Sequence, residues 1–176
     1  MACAKCDSER IFSISLYTPR VVETSYAPRI PLFSDEYHLP IGDVFMFEVP
    51  CSWGSAFSSV HWNEAWPYFE RRFQEERVFP PIAHSRVDGW TGSWKKWLIE
   101  LGFWEHWSTI YPNFRNQTAF STNLLGIGSH IRAVDAEVLR NYTIPLFQDN
   151  RWYHDLNRKR IFEGSIRRLN MFNNII

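Results

Sequence analysis

Long apolar runs are missing from this sequence. None approaches the ~18 residues that a membrane-spanning helix needs, so no span is expected. Cysteine is scarce. Cys3, Cys6 and Cys51 are too few for a disulfide framework. The Cys3-Ala4-Lys5-Cys6 pair offers two metal ligands where a structural zinc site takes four, and Cys51 with His38 or His84 would have to complete it. Excess charge is also lacking. Lys+Arg and Asp+Glu both number 19, for a net charge of zero. A dedicated nucleic-acid binder needs surplus cations to displace counterions from phosphate, so that class is disfavoured. There is no P-loop, nucleophile elbow, HExxH or second CxxC, and no internal repeat or low-complexity tract. The opening MACAKCDSER is too polar for a signal peptide and reads as a polar leader over residues 1–10. Two sequons, at Asn116 and Asn141, carry meaning only in a Golgi or secretory lumen.

Aromatic residues are what the chain has in plenty. Of its 176 residues, 17% are aromatic and 45% hydrophobic, ample for one core, and a single domain over 11–176 is expected. Five of nine tryptophans fall between Gly89 and Asn123. There Trp94, Trp97, Leu98, Leu101, Phe103 and Trp104 alternate with Lys95, Lys96, Glu100 and Glu105 at the spacing of an amphipathic helix. Thr91 or Ser93 is the expected N-cap, and Tyr111-Pro112-Asn113 the expected end. Trp94, Trp97 and Trp104 are expected in the core, because each ring buries a large area. Trp90 and Trp107, at the helix edges, are the better ligand candidates.

Elsewhere, Ile11–Tyr17 and Asp43–Val49 read as strands, and Val21–Ile30 as a further extended piece. Cys51–Gly54 reads as a turn. Val60–Arg77 reads as a helix lined by Trp62, Trp66 or Ala65, Phe69 and Phe73. Its regular part is expected to begin near Asn63–Trp66 because of Pro67. Phe114–Leu125 is expected to be extended, Gly126–His130 a tight turn, Asp135–Asn141 a short helix, Asn141–Phe147 an edge piece, and Arg151–Phe172 a final helix. The sum is an α+β (mixed α/β) domain, a small sheet packed by about three helices.

Asp88 stands out among the carboxylates. It lies in a polar connector beside Arg86 and just before Trp90, a setting suited to a sugar hydroxyl with a ring stacking on its C–H groups. His61, His84, His130 and His154 are each a possible base, and spacing selects none of them. Glu64, Glu70 and Glu100 fall within helices, where they are expected to face solvent or pair with basic neighbours.

A series of motifs completes the reading. Pro50-Cys51-Ser52-Trp53-Gly54, His61-Trp62, Trp90-Thr91-Gly92-Ser93-Trp94-Lys95-Lys96-Trp97-Leu98-Ile99-Glu100, Tyr111-Pro112-Asn113-Phe114, Asn116–Asn123 and Gly128-Ser129-His130 follow in order. Together, over roughly residues 45–150, they resemble the C-terminal half of uncharacterised fungal glycosyltransferase-like proteins, nucleotide-sugar dependent and distantly exostosin-type. The resemblance implies part of a GT-A-like domain forming the acceptor side of a sugar site. Asp88 and His130 would then be catalytic, and Arg86, Trp90, Lys95 and Asn123 would bind a carbohydrate or nucleotide-sugar. A divalent metal such as manganese would accompany a nucleotide-sugar. Such enzymes hold that metal with an acidic cluster, and here the nearest equivalent is Asp35-Glu36 in a proline-bounded loop.

A reading from another class stands beside this one: a non-catalytic interaction subunit. The segment from Arg151 to Ile176 carries six Arg/Lys against Asp155 and Glu163, and with an aromatic surface it would dock into a larger assembly. The two readings separate on Trp90 and Trp107. Burial of both rings without a polar pocket favours the interaction subunit.

Overall fold

The computed structural model describes residues 9–26, 32, 41–122, 143–148 and 166–176. They form a mixed α+β domain with a five-stranded mixed sheet and, among the described residues, two α-helices. In chain order the elements are β1 (Ile11–Ser15), β2 (Val44–Phe47), β3 (Ser55–Phe57), α1 (Ser59–Phe73), α2 (Lys95–Trp104), β4 (Ser108–Pro112) and β5 (Arg167–Leu169). The sheet order is β3-β1-β4-β2-β5. β1 pairs antiparallel with β3 and parallel with β4, while β2 pairs antiparallel with β4 and parallel with β5.

Side chains alternate across a strand, and the two faces of this sheet enter two cores. Phe45, Phe47, Tyr111 and Leu169 belong to one, with Val22, Ile82, Val87 and Ile99. Phe12 belongs to the other, with Ala65, Tyr68, Phe69, Leu98, Leu101 and Trp107. Helix α2 serves both cores, through Ile99 to the first and Leu98 and Leu101 to the second.

The strands at Ile11 and Asp43, the turn at Cys51–Gly54 and the edge piece near Pro145 lie as expected, the last pairing Leu146 with Ala119. Other expectations need correction. Helix α1 begins at Ser59 and carries Pro67 within it. Proline inside a helix costs about 3 kcal/mol, and burial of His61, Ala65, Tyr68 and Phe69 along that helix offsets it. Neither Thr91 nor Ser93 caps α2: its N-cap is Trp94, with no side-chain cap bond. That helix stops at Trp104, and Ser108–Pro112 is a strand. Val21 lies in a β-bridge, but Val22–Ser25 is a turn, closed by Ser25 N donating to Val22 O at 3.2 Å. Within the expected extended piece from Phe114, Arg115–Gln117 is a 3₁₀ turn, with Asn116 at φ 56°. The expected final helix fails at its end, because Arg167–Leu169 is a strand paired with β2. Residues 126–142 and 151–165, with the calls for a turn and helix there, lie outside the described residues.

Both helices end in the same way. The Trp107 N–H reaches Gly102 O at 2.8 Å and the His106 N–H reaches Phe103 O at 3.4 Å. The Glu76 N–H reaches Arg71 O at 3.0 Å and the Glu75 N–H reaches Arg72 O at 3.1 Å. These are Schellman motifs, and the left-handed residue in each is not glycine: His106 has φ 57° and Glu75 φ 61°. A side chain in that conformation costs roughly 1–2 kcal/mol. His106→Gly is therefore expected to raise stability by about 0.5–1 kcal/mol, after its added unfolded-state entropy. Urea unfolding of the variant checks it, and a loss of stability would show that the His106 side chain makes an offsetting contact.

Candidate functional site

Three of the six expected site residues gather around the turn at Val22–Ser25 and the Tyr26 that follows it. Arg86 is anchored there by its backbone N–H, which donates to Thr24 O at 3.0 Å, and its guanidinium lies 5.6 Å from the Trp90 ring centroid. Lys95 is buried and ion-paired with Glu23, with its ammonium 5.9 Å from the Trp53 ring centroid. Tyr26 Oη donates to Ser85 O at 3.2 Å, which ties the same turn to the connector before Trp90. Trp90 is half-buried against the first core, its backbone carbonyl accepting from Lys96 Nζ at 2.9 Å. Among the described residues its buried indole Nε1 has no partner. One face of the ring thus carries a cation of the chain itself.

Asp88 is turned elsewhere. It is exposed, and Arg77 Nη2 lies 3.4 Å from its Oδ1. Asn123 and His130 lie outside the described residues, as do Asp35, Glu36, His38, Cys3, Cys6 and His154. His61 is buried, with Nε2 2.8 Å from Glu9 O and its ring edge-on to Trp107. Among the described residues no group of three or more His, Cys, Asp or Glu gathers where a metal ion could be held.

Arg77 leads to a second polar cluster, between the helices. Glu100 on α2 is 4% exposed. Its Oε2 accepts from Arg72 Nε at 3.1 Å, and its Oε1 lies 3.6 Å from Arg77 Nη1. Arg77 therefore links Glu100 to Asp88. The expectation that Glu100 faces solvent is corrected, and its pairing with a basic neighbour holds across 28 residues of chain rather than along one helix. Burial, and then the Glu100 carboxylate, push the Tyr68 phenol well above the ordinary tyrosine range. A comparable pair crosses the sheet, where Arg168 Nη2 donates to Glu48 Oε1 at 3.0 Å.

The tryptophans are distributed differently from expectation. Trp107 is 6% exposed and stacks on Phe12 with centroids 5.1 Å apart and planes at 8°, so it is a core residue and not a ligand contact. Trp94 and Trp104, expected in the core, are 41% and 37% exposed. The cause is the rotation of α2, which buries Lys95, Leu98, Ile99, Glu100, Leu101 and Gly102 instead. On α1, Ala65 is the buried residue and Trp66 is 55% exposed. The result is an aromatic seam between the helices. Trp94 meets Trp62 and Phe69 at 6.4 and 6.3 Å, and Trp97 meets Phe69 and Phe73 at 6.3 and 4.4 Å. Trp66 and Phe73 stand exposed beside it. Helical spacing showed the stripe, but nothing in it signalled which rings stay uncovered.

No family model, no curated protein and no solved structure matches the chain. Among the described residues, no helix is long and apolar enough to cross a membrane.

Proposed function

We propose that this chain is a non-catalytic interaction module that docks through the aromatic seam of α1 and α2. The supporting observation is the exposure of Trp66, Phe73 and Trp94 together, beside the half-buried Trp62 and Trp97. Clustered exposed rings mark interaction surfaces, whereas singly scattered ones need no explanation. Burial of Trp107 and partial burial of Trp90 support the same reading. So does the engagement of Asp88 and Lys95 in ion pairs with Arg77 and Glu23.

Rings kept for docking add little to folding. Trp66→Ser and Phe73→Ser are each expected to change stability by no more than about 1 kcal/mol, measured by urea unfolding. A loss of about 3 kcal/mol at each would make them core residues and remove the proposal.

The glycosyltransferase-like reading has one observation in its favour. Trp53 is half-exposed beside the Lys95–Glu23 pair, within the same loop cluster as Arg86 and Trp90. An indole beside paired charges offers a sugar a ring face and polar partners. Calorimetric titration with UDP and UDP-sugars, with and without manganese, separates the readings. Heat that is lost in Trp53→Ala or Arg86→Ala favours the sugar site, and absence of heat in every titration favours the interaction module.

A further inference from the structure

Resting on the interaction reading, we infer that the seam receives a basic amphipathic helix of a protein partner, with an arginine laid over Trp66 beside Glu70. Trp62, Trp66, Phe69 and Phe73 recur at i, i+4, i+7 and i+11, the spacing along which one helix packs on another. Phe69 is already covered, while Trp66 is 55% and Phe73 70% exposed. Trp94 and Trp97 of α2 wall one side of this stripe, through their contacts with Trp62, Phe69 and Phe73. At ~150–250 Å² per aromatic side chain, the uncovered parts of Trp66, Phe73 and Trp94 offer roughly 250–400 Å². That is about a third to a half of the ~800 Å² each partner buries in a standard interface.

Charge chooses the occupant. Glu70 lies one turn beyond Trp66, and its Oε1 accepts from Trp66 Nε1 at 3.1 Å. This bond holds the indole in place. Among the described residues the other oxygen, Oε2, has no partner. The arginines of this region are engaged: Arg71 with Glu76, Arg72 with Glu100, and Arg77 with Asp88 and Glu100. Glu64, Glu70 and Glu75 have no cation beside them among the described residues. Of these carboxylates only Glu70 adjoins the exposed Trp66. On the α2 side Lys96 Nζ lies 5.4 Å from the Trp97 ring centroid and is already bonded to Trp90 O. What the Trp66 end of α1 offers a visitor is therefore an exposed ring beside one uncompensated carboxylate. A guanidinium stacks on an indole and donates to a carboxylate at its edge, and one arginine satisfies both. A second copy of this chain fits less well. Laid antiparallel on the same stripe, it brings both Glu70 carboxylates to one side of the contact, where they repel.

The test uses the full chain and three synthetic 14-residue helical peptides. Each has leucines at heptad spacing, and the flanking positions carry arginine, glutamine or glutamate. Binding is followed by tryptophan fluorescence and calorimetry at low and moderate salt. The arginine peptide is expected to bind at least about tenfold tighter than the glutamine peptide, and the glutamate peptide weakest. Glu70→Gln is expected to weaken the arginine peptide about two- to fivefold, the size of an exposed ion pair, and to leave the glutamine peptide unchanged. Trp66→Ala should weaken both. Both side chains are exposed, so matching thermal unfolding shows that the variants remain folded. Equal binding of all three peptides would overturn the basic partner and leave the docking reading standing. No binding of any peptide at millimolar concentration overturns both. A dimer in sedimentation that Trp66→Ala dissolves, or binding of chito-oligosaccharide that Trp66→Ala abolishes, assigns the seam to another occupant and overturns the inference.

Discussion

Trp107→Ala is expected to cost roughly 3–5 kcal/mol, the range for removing a buried indole. Against a total stability of about 5–15 kcal/mol, that is enough to leave the domain marginal. The size follows from what the ring touches. It stacks on Phe12 of β1, meets the His61 ring of α1 at 4.9 Å and 84°, and packs beside Gly102 of α2. It also occupies the second position of the Schellman motif that turns α2 into β4, so its loss leaves a cavity where two helices and the sheet meet. Trp104→Ala is the control. That ring is 37% exposed, stacks on Phe79 at 5.8 Å and meets Phe103 edge-on at 5.2 Å, so a smaller loss of about 1–2 kcal/mol is expected. Urea unfolding measures both. Equal, small losses would mean that Trp107 is not a core residue.

The contrast between those two tryptophans shows what could be read from the sequence. Periodicity identified both helices, because aromatic and charged residues alternate at helical spacing. It did not fix which arc faces the sheet. On α1 the small Ala65 is fully buried in the core that holds Phe12, and the larger Trp66 one residue along is left outside. On α2 the aliphatic Leu98, Ile99 and Leu101 take the interior, and Trp94 and Trp104 are displaced to the edge. Size favours burial of tryptophan in the aggregate, but local shape decides each case. Strands β1 and β2 were legible because their residues are apolar and β-prone. Strand β3, Ser55–Ala56–Phe57, is three residues long and owes its existence to pairing with Ser13–Ser15. Strand β5 looked like a basic helix. What makes it a strand is distant in sequence: Leu169 pairs with Phe47, and Arg168 meets the buried Glu48.

The candidate site was legible to a similar degree. Arg86, Trp90 and Lys95 are near neighbours in sequence and remain together. Their company was not visible, because Glu23 joins Lys95 from 72 residues away. Asp88, two residues from Arg86, leaves the group because Arg77 holds it on the other side of the 3₁₀ turn at Val87–Gly89. Adjacency along the chain places backbones together, while the partners of charged side chains decide where their ends point.

Glu100→Ala is the second substitution of large expected effect. Breaking a buried ion pair from one side costs about 3–5 kcal/mol, because the remaining charge is left desolvated and unpaired. Here that charge is Arg72, whose side chain is 10% exposed. Arg77 is more open and can turn to water, so it adds less. Arg72→Ala leaves Glu100 its contact with Arg77 at 3.6 Å, so it should cost less than Glu100→Ala. The double replacement Arg72→Leu/Glu100→Met removes both charges and keeps most of the volume, so it should cost less than either single change. A double-mutant cycle by urea unfolding reads this directly, and additive losses would mean that water already screens the pair. Glu100→Gln adds a spectroscopic readout. The Tyr68 phenol is raised first by burial and second by the Glu100 charge, so removing the charge should lower its titration while burial still holds it above the ordinary value near 10. The folded state keeps this proton more tightly than the unfolded chain does. Its contribution is therefore complete below about pH 10 and lost as pH rises beyond that, and Glu100→Gln should narrow the loss. Because the same pair ties α1 to α2, it also holds Trp94 and Trp97 against Phe69. A Glu100→Ala protein that still folds should show altered tryptophan emission from the seam, which Glu100→Gln largely preserves.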